Sequence, residues 1–153
     1  PYLFLNGANL SGIELTAADL KECNLNGTDL SSADLAGAHL ERSQLVGIRA
    51  NSIRFDGACL QGAVLAESAL GRAGLNGAKL AGADLRYIQC GSRLSAANFE
   101  GADLSGADLR EADIRFANFA GASLRGADLR GAQLLETTLD GADTRREQGE
   151  YGD

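Results

Sequence analysis

A large apolar residue recurs at nearly every fifth position of this 153-residue chain. The series runs Leu5, Leu10, Leu15, Leu20, Leu25, Leu30, Leu35, Leu40, Leu45, then Phe55, Leu60, Leu65, Leu70, Leu75, Leu80, Leu85. After one slip it resumes at Leu94, Phe99, Leu104, Leu109, Ile114, Phe119, Leu124, Leu129, Leu134, Leu139. Two positions before this central residue the side chain is usually small, as at Ala33, Ala58, Ala102 and Ala122. The residue immediately before it is polar, often Asp or Asn, as at Asn9, Asp29, Asp84, Asp108 and Asp128. Two positions after it glycine is common, as at Gly7, Gly27, Gly77 and Gly106.

A period of five is neither the 3.6 of a helix nor the 2 of a flat strand, and its persistence marks a repeat array. Residues two apart on an extended stretch share a face, so the alanine and the central residue point inward together while the polar residue between them points out. Glycine accepts positive φ and lets the chain turn a corner. Each pentad is then one short side and one corner, and four pentads close a square coil. Successive coils stack as parallel strands about 4.8 Å apart, around an interior narrow enough to require alternating small and large residues. The pattern predicts an all-β parallel solenoid of about seven four-sided coils over residues 1–143. A polar, disordered tail is expected over 144–153.

The stretches ADLSGADLREAD (102–113) and AGASLRGADLRGA (120–132) resemble the pentapeptide-repeat family, whose signature is A(D/N)LXX. The resemblance covers roughly residues 3–144. It implies a right-handed quadrilateral β-helix; the periodicity supplies the square coil and the resemblance supplies the hand. Members that bind topoisomerases are DNA mimics, with loops interrupting the coil and an apolar C-terminal element for dimerisation. No such element is visible after Asp143, and the oligomeric state is left open.

Composition narrows the functional classes. The formal charge is −7 and the pI about 4.7, which excludes general nucleic-acid binding. No apolar run approaches the roughly 20 residues of a membrane span. No signal peptide is visible, although Pro1 falls mid-pattern and Tyr2-Leu3-Phe4-Leu5 either caps the first coil or marks a cut through a longer solenoid. Cys23 takes a small inward slot, Cys90 a central slot and Cys59 an outward slot, so no pair is placed to form a disulfide. Free thiols suit a reducing compartment, and a cytoplasmic location is the expectation.

The pattern breaks twice. At Ala50 the central residue is small, and Ile48 and Ile53 in the flanking small slots are expected to fill the volume. From Leu85 to Leu94 the spacing is one residue short of two pentads. With Cys90 as a true centre, the columns stay aligned and the loss is absorbed at a corner near Gly91. The alternative is one irregular connection, which would expose Cys90 and make residues 86–93 a partner-binding element.

Residues 20 apart stack on neighbouring coils, which places Asp19, His39, Cys59 and Lys79 in one outward column. Carboxylate, imidazole and thiol in that order is what nucleophilic catalysis uses. A flat exterior offers neither pocket nor oxyanion donors, and the column alone offers too few convergent ligands for a metal. The expectation is no enzyme, no cofactor and no metal site. The function expected is a protein-binding scaffold or spacer working through its outer faces. The candidate partner-binding residues are Arg86, Tyr87, Arg93, Asp103, Asp108, Asp113 and Asp128, with no direct nucleic-acid or membrane binding. The alternative is a DNA mimic that binds DNA gyrase and protects it from inhibitors. B-DNA carries one charge per about 1.7 Å, so a rod on the order of 34 Å long would need about 20 charges to match it.

Overall fold

The computed structural model describes residues 3–146. Parallel bridges run through the residue before the centre of each pentad and define four ladders. Face 1 carries Phe4, Asn24, Gln44, Val64, Asp84, Asp103, Ser123 and Asp143; face 2 carries Asn9, Asp29, Arg49, Ala69, Gln89, Asp108 and Asp128. Face 3 carries Glu14, Asp34, Arg54, Gly74, Arg93, Asp113 and Gln133; face 4 carries Asp19, His39, Cys59, Lys79, Asn98, Asn118 and Thr138. The result is a four-sided parallel β-helix of seven coils.

One pentad shows how the backbone is satisfied. Leu5 N–H donates to Asn24 O (2.8 Å), Asn24 N–H donates back to Leu3 O (2.9 Å), and Gly7 N–H donates to Asn26 O (2.8 Å). Ala8 N–H closes the corner on Leu5 O at 3.0 Å. Positive φ at the third residue of that turn is the mark of a type II turn, and Gly7 supplies it at φ 71°. Several corners use other residues in the same left-handed region, among them Ala17, Tyr87, Ala96, Glu111 and Phe116. The stack of inter-coil bonds holds them there at a local steric cost.

Inside, the alanines and central residues form one continuous core from Leu20 to Leu124. Phe99 and Phe119 stack on adjacent coils with centroids 4.6 Å apart and planes 8° from parallel. Ala50 is fully buried, and so are Ile48 and Ile53 in the small slots on either side of it.

The slip is resolved without a loop. Bridges are offset by 20 residues up to Ala69 with Gln89, by 19 from Gly74 with Arg93 to Gln89 with Asp108, and by 20 again afterwards. Leu85 N–H donates to Asp103 O at 2.7 Å and Cys90 is 1 % exposed, so register is kept across the break. The missing residue belongs to the corner after Cys90. Gly91 eases that corner, since a Cβ would lie 3.1 Å from Arg110 O. Ser92 then drops into the inward slot, and its hydroxyl donates to Leu70 O (2.6 Å) and accepts from Ala73 N–H (3.2 Å) one coil earlier. At the far end Leu134 and Leu139 are exposed, although Arg145 O still accepts from Gly126 N–H. Most of the tail expected to be disordered lies outside the described residues.

Candidate interaction surface

The outward Asp or Asn of each pentad has a local task. Its side-chain oxygen accepts the N–H of the residue two further on, at 3.0 Å for Asn9 with Ser11, Asp29 with Ser31 and Asp103 with Ser105. This closes the corner from outside, as Asx turns do. The side chains before and after the central residue therefore converge over the corner. Where the later one is arginine it clamps the aspartate with two bonds. The pairs are Asp84–Arg86, Asp108–Arg110, Asp113–Arg115, Asp128–Arg130 and Asp143–Arg145, at 2.6–2.9 Å. Further ion pairs tie neighbouring coils: Arg42 to Glu22, Arg49 to Asp29, Arg54 to Asp34 and Arg125 to Asp143.

The clamps set the electrostatics. The hydrogen bond from Arg130 holds the Asp128 carboxyl down to about 2, aided by the Arg130 backbone N–H. Bonds from Arg86, Arg110, Arg115 and Arg145 likewise lower Asp84, Asp108, Asp113 and Asp143 below the usual carboxylate range. These aspartates stay ionised but neutralised.

The residues expected to meet a partner therefore divide. Asp108 and Asp128 stand on face 2, Asp113 and Arg93 on face 3, and Asp103 on face 1. Asp108, Asp113, Asp128 and Arg86 are each spent in clamps, and Asp103 is occupied by both the N–H and the hydroxyl of Ser105. Arg93 reaches over Gly74 towards the Asp56 carboxylate. Tyr87 sits at a corner with φ 57°, 54 % exposed. A Cβ at Gly106 would fall 2.4 Å from the Tyr87 ring, so the aromatic packs against a glycine. The shortened corner leaves a shallow depression of about 520 Å³ beside Gly71, Gln89, Asp108 and Arg110.

Reading the sequence missed an apolar corner. Phe116 and Leu135 lie on successive coils, where Phe116 N–H donates to Leu135 O, and they are 48 % and 59 % exposed. The signal was a large apolar residue at Phe116, two after the centre, where glycine is usual. Face 4 holds a second unexpected grouping: ligand atoms of His39, Glu41 and Cys59 all lie within 4.8 Å of one another. The column reading had found His39 and Cys59 but not Glu41, which reaches the group from beyond the corner. Cys23, Cys59 and Cys90 are all free thiols. Burial pushes the Cys90 thiol up to about 12 and raises that of Cys23, while Cys59 is half-buried on the outer surface.

This geometry defines a class, the pentad-repeat solenoid coiled as a right-handed quadrilateral β-helix. The family model for pentapeptide repeats matches in 8 copies, over residues 4–30, 13–49, 52–87, 92–131 and 108–143, and the chain belongs to that family. No curated protein sequence matches it. Among solved structures it is similar to HetL, a pentapeptide repeat protein involved in heterocyst differentiation regulation from the cyanobacterium Nostoc. The two are 34 % identical over 88 % of this chain and 73 % of that one, with a TM-score of 0.49. QnrB1, a plasmid-mediated fluoroquinolone resistance protein, has the same fold at 17 % identity, covering 93 % of this chain and 90 % of that one with a TM-score of 0.63. A pentapeptide repeat protein of the Arabidopsis thaliana thylakoid lumen is 24 % identical over 82 % and 71 %, with a TM-score of 0.31. Among the described residues no helix is long and apolar enough to cross a membrane.

Proposed function

We propose that this chain is a non-catalytic scaffold or spacer that binds a protein partner through its outer faces. The observation that carries this reading is the clamp. The aspartates that could have formed an acidic, DNA-like face are used to close corners, and arginines two residues on neutralise them. The formal charge of −7 is far from the roughly −20 that matching B-DNA over such a rod would require. Exposed ion pairs of this kind add little stability, so their effect is a mixed, soluble exterior. Partner contact falls to apolar groups that protrude from that exterior, among them the Tyr87 ring and the Phe116–Leu135 corner.

The competing reading, a DNA mimic that protects DNA gyrase, is separated by one assay. Gyrase supercoiling is measured with a fluoroquinolone, with and without the protein. Unchanged inhibition is expected; restoration of supercoiling at stoichiometric protein sinks the scaffold reading. A photo-crosslinking residue at Phe116 is expected to trap a discrete protein adduct that the same residue at Gly77, on a plain corner, does not.

A further inference from the structure

We propose that His39, Glu41 and Cys59, with Gln61 beside them, form a binding site for a zinc-type divalent metal ion. The corner geometry already described brings the site together. Side chains before and after a central residue converge, and this is how Asp84 meets Arg86. Around Leu40 the converging pair is His39 and Glu41, with His39 Nδ1 3.5 Å from Glu41 Oε1. Around Leu60, one coil on, the corresponding positions are Cys59 and Gln61. Cys59 pairs with His39 across the face 4 ladder, so imidazole, carboxylate and thiol from two coils meet at one corner. Their ligand atoms lie within 4.8 Å of one another, close enough for small side-chain rotations to bring them onto one ion at about 2.0–2.3 Å.

A second observation points the same way. Glu41 Oε2 and Gln61 Oε1 are both shielded from solvent and have no hydrogen-bond partner. Two buried acceptors without a donor, on stacked positions of the same corner, form a costly arrangement that a cation relieves. The donor set then selects the metal. Thiolate, imidazole and carboxylate in one small cluster suit Zn²⁺ and its spectroscopic substitute Co²⁺, and are too soft for Mg²⁺ or Ca²⁺. Gln61 Oε1 or water completes the tetrahedron. Asp19 and Lys79 occupy the rungs on either side of the group and offset each other in charge.

The test is a titration of the reduced full chain with Co²⁺, followed by absorption, with Zn²⁺ as competitor. Expected is one equivalent bound, a thiolate-to-cobalt charge-transfer band, and displacement by Zn²⁺. Cys59→Ser abolishes the band. His39→Ala and Glu41→Gln each weaken binding by at least the 10–100-fold that losing even an outer partner of a metal site costs. Cys23→Ser leaves both band and affinity unchanged. All three ligand positions are on the surface, so the circular dichroism spectrum is expected to stay that of the parent. Failure to develop the band at stoichiometric Co²⁺ overturns the proposal. So does a band that survives Cys59→Ser, or affinity indifferent to both His39→Ala and Glu41→Gln.

Discussion

Ala50 and Cys90 are both undersized centres on face 2, two coils apart, yet the solenoid absorbs them by different means. At Ala50 the chain keeps its length and loses volume. The remedy is in the core, where Ile48 and Ile53 replace the usual alanines. It has a side effect: Ile48 N–H is bonded to the Ser68 hydroxyl (3.2 Å), which itself donates to Leu45 O (2.9 Å). At Cys90 the chain loses a residue, and the remedy is at the corner, where Gly91 allows close approach and Ser92 bonds Leu70 O and Ala73 N–H. Ser68 and Ser92 occupy equivalent inward slots and reach equivalent groups one coil earlier. The lesson is that this fold tolerates missing volume and missing length separately, because side chains fill the interior while backbone bonds fix the register. In both cases a serine hydroxyl ties its corner to the one a coil earlier.

Leu104 provides the undamaged reference, since its flanking slots hold Ala102 and Ala107 and all three are buried. Leu104→Ala recreates the Ala50 defect without its remedy and is expected to cost about 2–5 kcal/mol in denaturant unfolding, from lost transfer energy and a cavity. Adding Ala102→Ile and Ala107→Ile should recover a substantial part of the loss. A triple variant no more stable than the single would show that the isoleucines at 48 and 53 do not compensate for Ala50.

The converse is Ala50→Leu, which places a leucine where the volume is already taken. Overpacking is expected to destabilise by about 1–3 kcal/mol in the same measurement. An increase in stability would mean that space remains around Ala50.

Ser92→Ala removes the hydroxyl that ties the shortened corner to the Leu70–Ala73 corner one coil earlier. A loss of about 1 kcal/mol is expected, the usual net worth of such hydrogen bonding. Ser68→Ala should lose a similar amount, being the same device at the other defect. A large effect at one serine and none at the other would break the equivalence.

The smallest effect is on the exterior. The Asp128 carboxyl titrates at about 2, below its unfolded value of about 3.9, so its contribution is complete above that value and disappears as pH falls towards 2. Asp128→Asn should flatten the melting temperature slightly between pH 4 and 2, and added salt should shrink the difference. The penalties of Leu104→Ala and Ser92→Ala should keep their size over the same pH range, because neither group titrates there.

The sequence by itself determined the fold class, the coil count and the ladders on either side of the slip. A five-residue repeat leaves no choice of which residues stack: position 39 must meet 59 once four pentads make a coil. It also determined which thiols face inward. Tertiary structure decided how side chains and coils meet. The retained register across Cys90 depends on parallel backbone bonds that pay only when neighbouring coils align. The sequence already sets Arg110 and Arg130 beside Asp108 and Asp128, but the two-bond clamps on Asp108, Asp113 and Asp128 depend on how the corner folds the arginines back onto them. The meeting of His39, Glu41 and Cys59 needs two coils and a corner together. The physical reason is common to all three: the repeat fixes backbone neighbours, while contacts between outward side chains depend on how the corner turns them towards each other.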